Sequence, residues 1–336
     1  LKNLDLLLTN SQSVGLTVSE WAARGDWRLI YVYRDALKKV TAADVQRVAK
    51  AYIKPSNRTI GQFIPTDKPD RAAIPAVTVA EITALTKDYK GNALLAAGEV
   101  FDATPTNIEI RTSRSTLPNG FKVALLPKTT RGNTVTARIT LRFGDEKSLT
   151  GRVTAARWMA ALLNRGTKTK TRQQILDTFD KLKTQFGVNG GGNNITVSMN
   201  TTHENLIPAL RLAAEVLKEP VFPQSEFDTY KTAQLAGTEA GRSEPQVLAP
   251  TMLSRRMNPY PSGHPLATTT VDEEIAEDKA TTVDEVKKVY TDMVGASYGD
   301  IAVVGDFNKD SVATVTRELF GTWKSPKPFT RLVRKY

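Results

Sequence analysis

The side chains best suited to chemistry are few in this chain. It contains two histidines and no cysteine, so disulfides, thiolate metal sites and cysteine nucleophiles are excluded. His203-Glu204 matches the start of the zinc-binding pattern HExxH, but Ile207 stands where the second histidine is required. We therefore interpret His203 as a polar residue at a helix start. His264 precedes Pro265 in a loop, where it could contact a ligand, and we interpret it as a solvated loop residue.

Two further segments could hold a ligand on composition alone. The run Gly190-Gly191-Gly192 is followed by a predicted strand rather than a helix, so it does not match a phosphate-binding loop and is interpreted as a flexible turn. The acidic residues between Asp272 and Asp278 precede a predicted helix, and we expect them to favour its N-terminus. Neither segment predicts a catalytic or metal-binding residue.

Charge and hydropathy limit the classes of partner. Lys and Arg total 46 against 35 Asp and Glu, a net charge of +11. The basic residues are scattered, and their densest group, from Arg165 to Arg172, has no interleaved aromatics, so nucleic-acid binding is not predicted. No apolar run approaches the ~20 residues of a transmembrane segment. The opening residues, Leu1–Leu4, resemble the middle of a helix, so we expect that preceding sequence has been removed.

An internal repeat organises the chain. The segment Thr41–Tyr52 has a counterpart at Thr282–Met293, and the offset from Thr41 to Thr282 is 241 residues. Each copy begins with a capping-box pattern, which predicts a helix start, and a turn and a strand follow at residues 59–64 and 300–305. Agreement of capping, periodicity, turn and strand indicates duplication. The matched apolar pairs are Val45 with Val286, Val48 with Val289, and Tyr52 with Met293.

The repeat predicts the domain organisation. If the second copy lies near the end of a whole domain, the first lies near the end of a preceding one. We predict that residues 1–66 are the C-terminal fragment of that domain and that the proline-containing residues 67–107 are an interdomain linker. Residues 108–330 form a nearly complete second domain, and residues 331–336 begin another linker.

The second domain is predicted to be α+β, with a mainly antiparallel sheet packed by helices. Leu117–Gly120 supplies an Asn-Gly hairpin turn, and the alternation from Val135 to Phe143 is typical of a half-buried strand. The predicted strands are 121–126, 135–143, 195–199 and 300–305. The predicted helices are 151–164, 171–186, 204–217, 224–240, 282–294 and 309–320.

Two series of short motifs carry a family resemblance. The first is Gly25-Asp26-Trp27-Arg28, Val40-Thr41, Asp44-Val45, Val48-Ala49 and Asn57-Arg58-Thr59. The second is Leu117-Pro118-Asn119-Gly120, Phe143-Gly144, Asn164-Arg165-Gly166-Thr167, Pro220-Val221-Phe222, His264-Pro265 and Val304-Gly305-Asp306. In their order and spacing they resemble the pitrilysin/insulinase family of zinc peptidases, which includes mitochondrial processing peptidase and the core subunits of the respiratory cytochrome bc complex. The resemblance covers nearly the whole chain.

The resemblance implies where a metal site would lie. Peptide-cutting members carry HxxEH on the helix that here ends at Gly166-Thr167, because two imidazoles four residues apart share one helix face and can hold one zinc. Those positions fall on Arg157, Ala160 and Ala161, none of which can serve as ligand or base. A third ligand would lie near residues 230–240, where Glu239 matches only loosely. We therefore predict no catalytic, metal or cofactor-binding residue in this chain.

The resemblance also implies a function. We expect a non-catalytic portion of a zinc metallopeptidase, which forms part of a chamber wall and helps to confine a peptide or unfolded substrate. Besides the peptide, its partner would be the zinc-bearing catalytic domain of the same protein. The protein would act in the periplasm. The alternative is an assembly subunit without proteolytic activity, like the core subunits of the bc complex. An HxxEH helix in the upstream sequence would support the metallopeptidase, and its absence would support the assembly subunit.

Overall fold

The structure, a computed structural model, describes residues 2–7, 9–54, 56, 78–89 and 97–334. The chain divides into two compact units, residues 1–95 and 96–336. The described part of the predicted linker is shared between them, with residues 78–89 in the first unit and 97–107 in the second. The domain boundaries drawn from the sequence, at residues 66 and 107, stay predictions.

The described part of the first unit is helical. Its helices are α1 (Lys2–Leu7), α2 (Ser11–Ala23), α3 (Leu29–Leu37), α4 (Ala42–Tyr52) and α5 (Val79–Thr86). Helix α3 packs against α5, and the Tyr89 hydroxyl donates to Asp35 Oδ2 at 2.9 Å. The capping box predicted for Thr41 and Asp44 is present at the start of α4. The strand predicted at residues 59–64 lies outside the described residues.

The Gly25–Arg28 motif forms the turn between α2 and α3. Asp26 Oδ1 accepts from the backbone N–H of Arg28 at 2.8 Å, and Asp26 Oδ2 accepts from the Arg28 guanidinium at 2.6 Å. These hydrogen bonds from Arg28 lower the pKa of Asp26 to about 2. The motif therefore fixes the angle at which α3 begins.

A six-stranded sheet forms the centre of the second unit. Its strands are β1 (Ser113–Thr116), β2 (Lys122–Pro127), β3 (Thr134–Arg142), β4 (Gln185–Gly191), β5 (Asn194–Thr202) and β6 (Asp300–Gly305). Their order across the sheet is β1-β2-β6-β3-β5-β4. Among the strands that the structure describes, only the β2–β6 pair is parallel, so the predicted fold class, α+β with a mainly antiparallel sheet, is confirmed.

The sheet buries one face. Along β3, Val135, Ala137, Ile139 and Leu141 are buried while the intervening residues are partly or fully exposed, as the alternation predicts. At the end of β6, Gly305 has φ +135, and a Cβ there would lie 2.3 Å from the Thr134 carbonyl oxygen. Only glycine permits this close approach of β6 to β3.

The helices of the second unit pack around this sheet or on one another. They are α6 (Pro105–Arg111), α7 (Glu146–Leu149), α8 (Val153–Leu162), α9 (Arg172–Lys181), α10 (His203–Lys218), α11 (Gln224–Ala240), α12 (Pro245–Met257), α13 (Val271–Ala280), α14 (Val283–Met293) and α15 (Lys309–Phe320). Helices α8, α10 and α15 pack directly on strands, and α14 packs on α8. Of the helices in the described ranges, none is long and apolar enough to cross a membrane.

Three local predictions were wrong. The helix predicted at 171–186 ends at Lys181, because Gln185–Gly191 form edge strand β4. Gly190 and Gly191 therefore lie in a strand, and only Gly192 belongs to the hairpin turn. The acidic run after Thr270 does not precede a helix but forms the first turns of α13, where its carboxylates favour that helix's own positive N-terminus. Helix α12 was not predicted; Pro250 lies in its interior, where proline disfavours a helix, whereas Pro245 occupies its first position.

Candidate functional site

Helix α8 carries the positions at which the family resemblance places a metal. It lies between α14 and strand β4, and most of its side chains are buried. Trp158 and Met159 are fully enclosed and fill the core, as their size and apolar character require. The remaining positions of interest, Arg157, Ala160 and Ala161, lie in the same turn of the helix.

Arg157 joins α8 to α13. Its guanidinium donates to Glu274 Oε1 at 2.8 Å and to Asp278 Oδ1 at 3.3 Å. One turn earlier, the Thr154 hydroxyl donates to Glu277 Oε2 at 2.7 Å. Three carboxylates of α13 therefore bind α8 through direct hydrogen bonds.

Asp278 is the least solvated of these carboxylates. Its side chain has no exposed surface, whereas the side chain of Arg157 is 40% exposed. Among the described residues, Asp278 Oδ2 has no hydrogen-bond partner. Burial raises the pKa of Asp278, and the Arg157 guanidinium partly opposes that rise by stabilising the carboxylate. The Arg157–Asp278 pair is thus an ion pair at the edge of the core.

Ala160 is in close contact with strand β4. A Cβ added to Gly190 would lie 2.1 Å from Ala160 Cβ, so the strand and the helix approach more closely than two ordinary side chains allow. Ala160 is 1% exposed. The glycine-rich segment interpreted as a flexible turn therefore packs against α8 at the position where the family places its catalytic glutamate.

The residues on α8 do not fit a zinc ion. A guanidinium has no lone pair to donate to a metal, and the alanines carry no ligand atom. Glu239, the loose match for a third ligand, lies at the end of α11, 3.8 Å from the ammonium of Lys279. Within the part of the chain that the structure describes, no group of three or more His, Asp or Glu side chains could hold a metal ion. Absence of zinc in solution stays a prediction.

The two histidines lie at separate places and make structural contacts. His203 Nδ1 lies 2.7 Å from Asp306 Oδ1, joining the start of α10 to the turn after β6. His264 is not solvated as predicted, because its side chain is only 10% exposed and stacks on Tyr260 at 4.4 Å. Its Nδ1 accepts from the backbone N–H of Leu266 at 3.0 Å, and its Nε2 lies 3.2 Å from Glu146.

His264 lines a cavity of about 460 Å³ beside the start of α8. Arg152, Arg255 and Lys288 also line it, and each is paired with a carboxylate: Arg255 with Glu273, and the other two with Asp292. The cavity is lined by both polar and apolar side chains, so it has room and contacts for a small group.

Sequence reasoning missed the partnership between α8 and α13. Arg157 and Asp278 are 121 positions apart, and the acidic run was assigned to the wrong helix. The available signal was a capping box formed by Thr270 and Glu273, which marks the start of α13. With that start fixed, Glu274 and Asp278 fall four residues apart on one helix face.

Comparisons with known proteins extend this picture at the level of the fold. No family model matches the sequence, and no curated protein matches it. Among solved structures, the chain is similar to the peptidase M16 inactive domain from Pseudomonas fluorescens, with a TM-score of 0.58 and 22% identity over 67% of this chain and 53% of that chain. It is also similar to a protease from Helicobacter pylori, with a TM-score of 0.53 and 20% identity over 66% of this chain and 52% of that one.

A third similar structure spans more of this chain. The periplasmic protease PqqL from Escherichia coli has a TM-score of 0.55 and 13% identity, covering 88% of this chain and 30% of PqqL. This chain therefore aligns with about half of the first two structures and under a third of PqqL. The resemblance to the pitrilysin family is confirmed at the level of the fold, and the chain has the fold of an M16 peptidase inactive domain.

Proposed function

We propose that this chain is a non-catalytic portion of a zinc metallopeptidase and that it forms part of the wall around the substrate. The observation that carries the proposal is the set of contacts that Arg157 and Ala160 of helix α8 make. Arg157 is ion-paired to α13, and Ala160 is packed against Gly190, so the surface where a catalytic member holds its metal is occupied by structural contacts.

The exposed face of the sheet supports the wall role. On β3 and β5 the exposed residues form cross-strand pairs, Thr136 opposite Asn200 and Arg138 opposite Ser198. The Thr136 hydroxyl donates to Asn200 Oδ1 at 2.9 Å. A face of polar side chains can exchange hydrogen bonds with many peptides without selecting a sequence, which suits confinement of varied substrates.

The compartment and the neighbouring domains belong to the same proposal. The similar PqqL structure is that of a periplasmic protease, and absence of cysteine is compatible with the periplasm, so we place this chain there. Residues 1–66 would end a preceding homologous domain, and the zinc-bearing domain of the same polypeptide would be the catalytic partner. The 88% coverage of this chain by one protease chain supports such a continuous arrangement.

The proposal is tested by measuring cleavage of a labelled unstructured peptide with zinc present. Residues 1–336 alone should give no cleavage. The zinc-bearing part of the polypeptide should cleave slowly alone and faster when residues 1–336 are added, because the chain completes the enclosure around the peptide. Chelator-sensitive cleavage by residues 1–336 alone would contradict the proposal. No cleavage by the complete polypeptide would favour the alternative, an assembly subunit.

A further inference from the structure

We infer that the apolar face of α4, formed by Val45 and Val48, docks against an α8-type helix of the preceding homologous domain. The inference rests on the proposed function, in which residues 1–66 end such a domain. Val45 is 60% exposed and Val48 is 44% exposed, and α4 contains no buried residue. The same helix carries Asp44, Arg47 and Lys50 on its other sides, so it is amphipathic with its apolar side uncovered.

The second copy of the repeat identifies the covering element. Val286 and Val289 of α14 occupy the positions of Val45 and Val48, and they are 0% and 1% exposed. Helix α14 packs against α8, and Val289 lines the same cavity as Ala155 of that helix. The two repeat helices both have valine at these two positions, both begin with a threonine–carboxylate capping box and both are 11 residues long. Their apolar faces should therefore accept the same kind of partner.

The chemistry of α8 defines the proposed occupant. It is a mainly apolar helix with several small residues, among them Ala155, which is buried beside the cavity that Val289 of α14 also lines. The occupant of the α4 face should have the same character: a mainly apolar helix with small residues that let the two valines approach closely. This is a partner of defined chemistry, supplied by the polypeptide that precedes residues 1–66.

The test uses single engineered cysteines, because residues 1–336 contain no cysteine of their own, and any cysteine elsewhere in the complete polypeptide is first replaced by serine. Val48→Cys reports on the apolar face of α4, and Gln46→Cys on its exposed polar side provides the matched control. Val289→Cys reports on the covered face of α14. Each variant is labelled with a maleimide, first in residues 1–336 and then in the complete polypeptide that contains the preceding domain.

In residues 1–336, Val48→Cys should label about as fast as Gln46→Cys, and Val289→Cys should be protected. In the complete polypeptide, labelling of Val48→Cys should slow by roughly 100-fold or more, since a covered thiol reacts only when its surroundings open. The Gln46→Cys rate should not change. Equal labelling of Val48→Cys in both proteins overturns the inference, as does protection in residues 1–336 alone. Either result leaves the cleavage test of the proposed function unaffected.

Discussion

Arg157→Met tests the view that the guanidinium, and not a metal, holds α8 to α13. The substitution keeps an unbranched stem but removes the cation that faces Asp278. Asp278 has no exposed side-chain surface, and its Oδ2 has no hydrogen-bond partner among the described residues. The variant would therefore retain a buried carboxylate without its direct counter-ion.

The expected loss in the free energy of unfolding is about 2–3 kcal/mol at pH 7.5. Removing one partner of a fully buried ion pair costs about 3–5 kcal/mol. The loss here should be smaller, since the Arg157 side chain is 40% exposed and water can enter the space that it leaves.

The loss should depend on pH. Burial raises the pKa of Asp278 in the folded chain, and without Arg157 that pKa should rise further. The folded variant then binds a proton more readily than the unfolded chain, so its stability falls as pH rises from the ordinary aspartate pKa to the raised one. At pH 5 a larger fraction of Asp278 is protonated, and Arg157→Met should cost less there than at pH 7.5.

Urea unfolding at the two pH values measures both effects. Arg211→Met is the matched control, because Arg211 forms a bidentate pair with Glu318 at 2.6 and 2.8 Å in which both side chains are about half exposed. That variant should lose far less stability and show no comparable pH dependence. Equal losses of stability in the two variants, or a cost of Arg157→Met that does not decrease at pH 5, would refute this role of the guanidinium.

Three further predictions concern single positions. Gly190→Ala should lower the free energy of unfolding by about 1–3 kcal/mol in the same urea assay, because the added Cβ would overlap Ala160. Gly191→Ala is the control and should have little effect, because there is open space where its Cβ would lie. Burial works against ionisation of Glu215, but hydrogen bonds from Lys170 and two threonines outweigh this effect and lower the pKa of the carboxyl. Glu215→Gln should therefore lower the free energy of unfolding by ~1–2 kcal/mol at neutral pH. In acid unfolding curves this loss should shrink as the pH falls toward the lowered pKa. Carboxyl NMR should give Asp26 a pKa of about 2, and replacing its partner arginine with glutamine should return it toward 3.8; an unchanged pKa would exclude the hydrogen-bond cause.

Local signals in the sequence predicted much of the second unit. The capping box at Thr282 and Glu285 marks the start of α14 because both hydrogen bonds lie within one turn. The alternation through Val135 and Ile139 predicts β3 because one face of the sheet is buried and the other is not. These features depend on residues close together in the chain.

Contacts between distant segments could not be predicted in this way. Edge strand β4 is rich in glycine, which has low strand propensity, and its placement depends on the close approach of Gly190 to α8. The partnership of Arg157 with Asp278 likewise requires the packing of α8 beside α13. The sequence located the positions that lack zinc ligands, but only the fold identifies the contacts that occupy them.

Zinc stoichiometry tests the central claim most directly. Residues 1–336 are equilibrated with a small excess of zinc, passed through a desalting column, and analysed for metal by mass spectrometry. Arg157, Ala160 and Ala161 provide no ligand, so the account predicts far less than one zinc per chain, unchanged in Arg157→Met. One tightly held zinc per chain would contradict it.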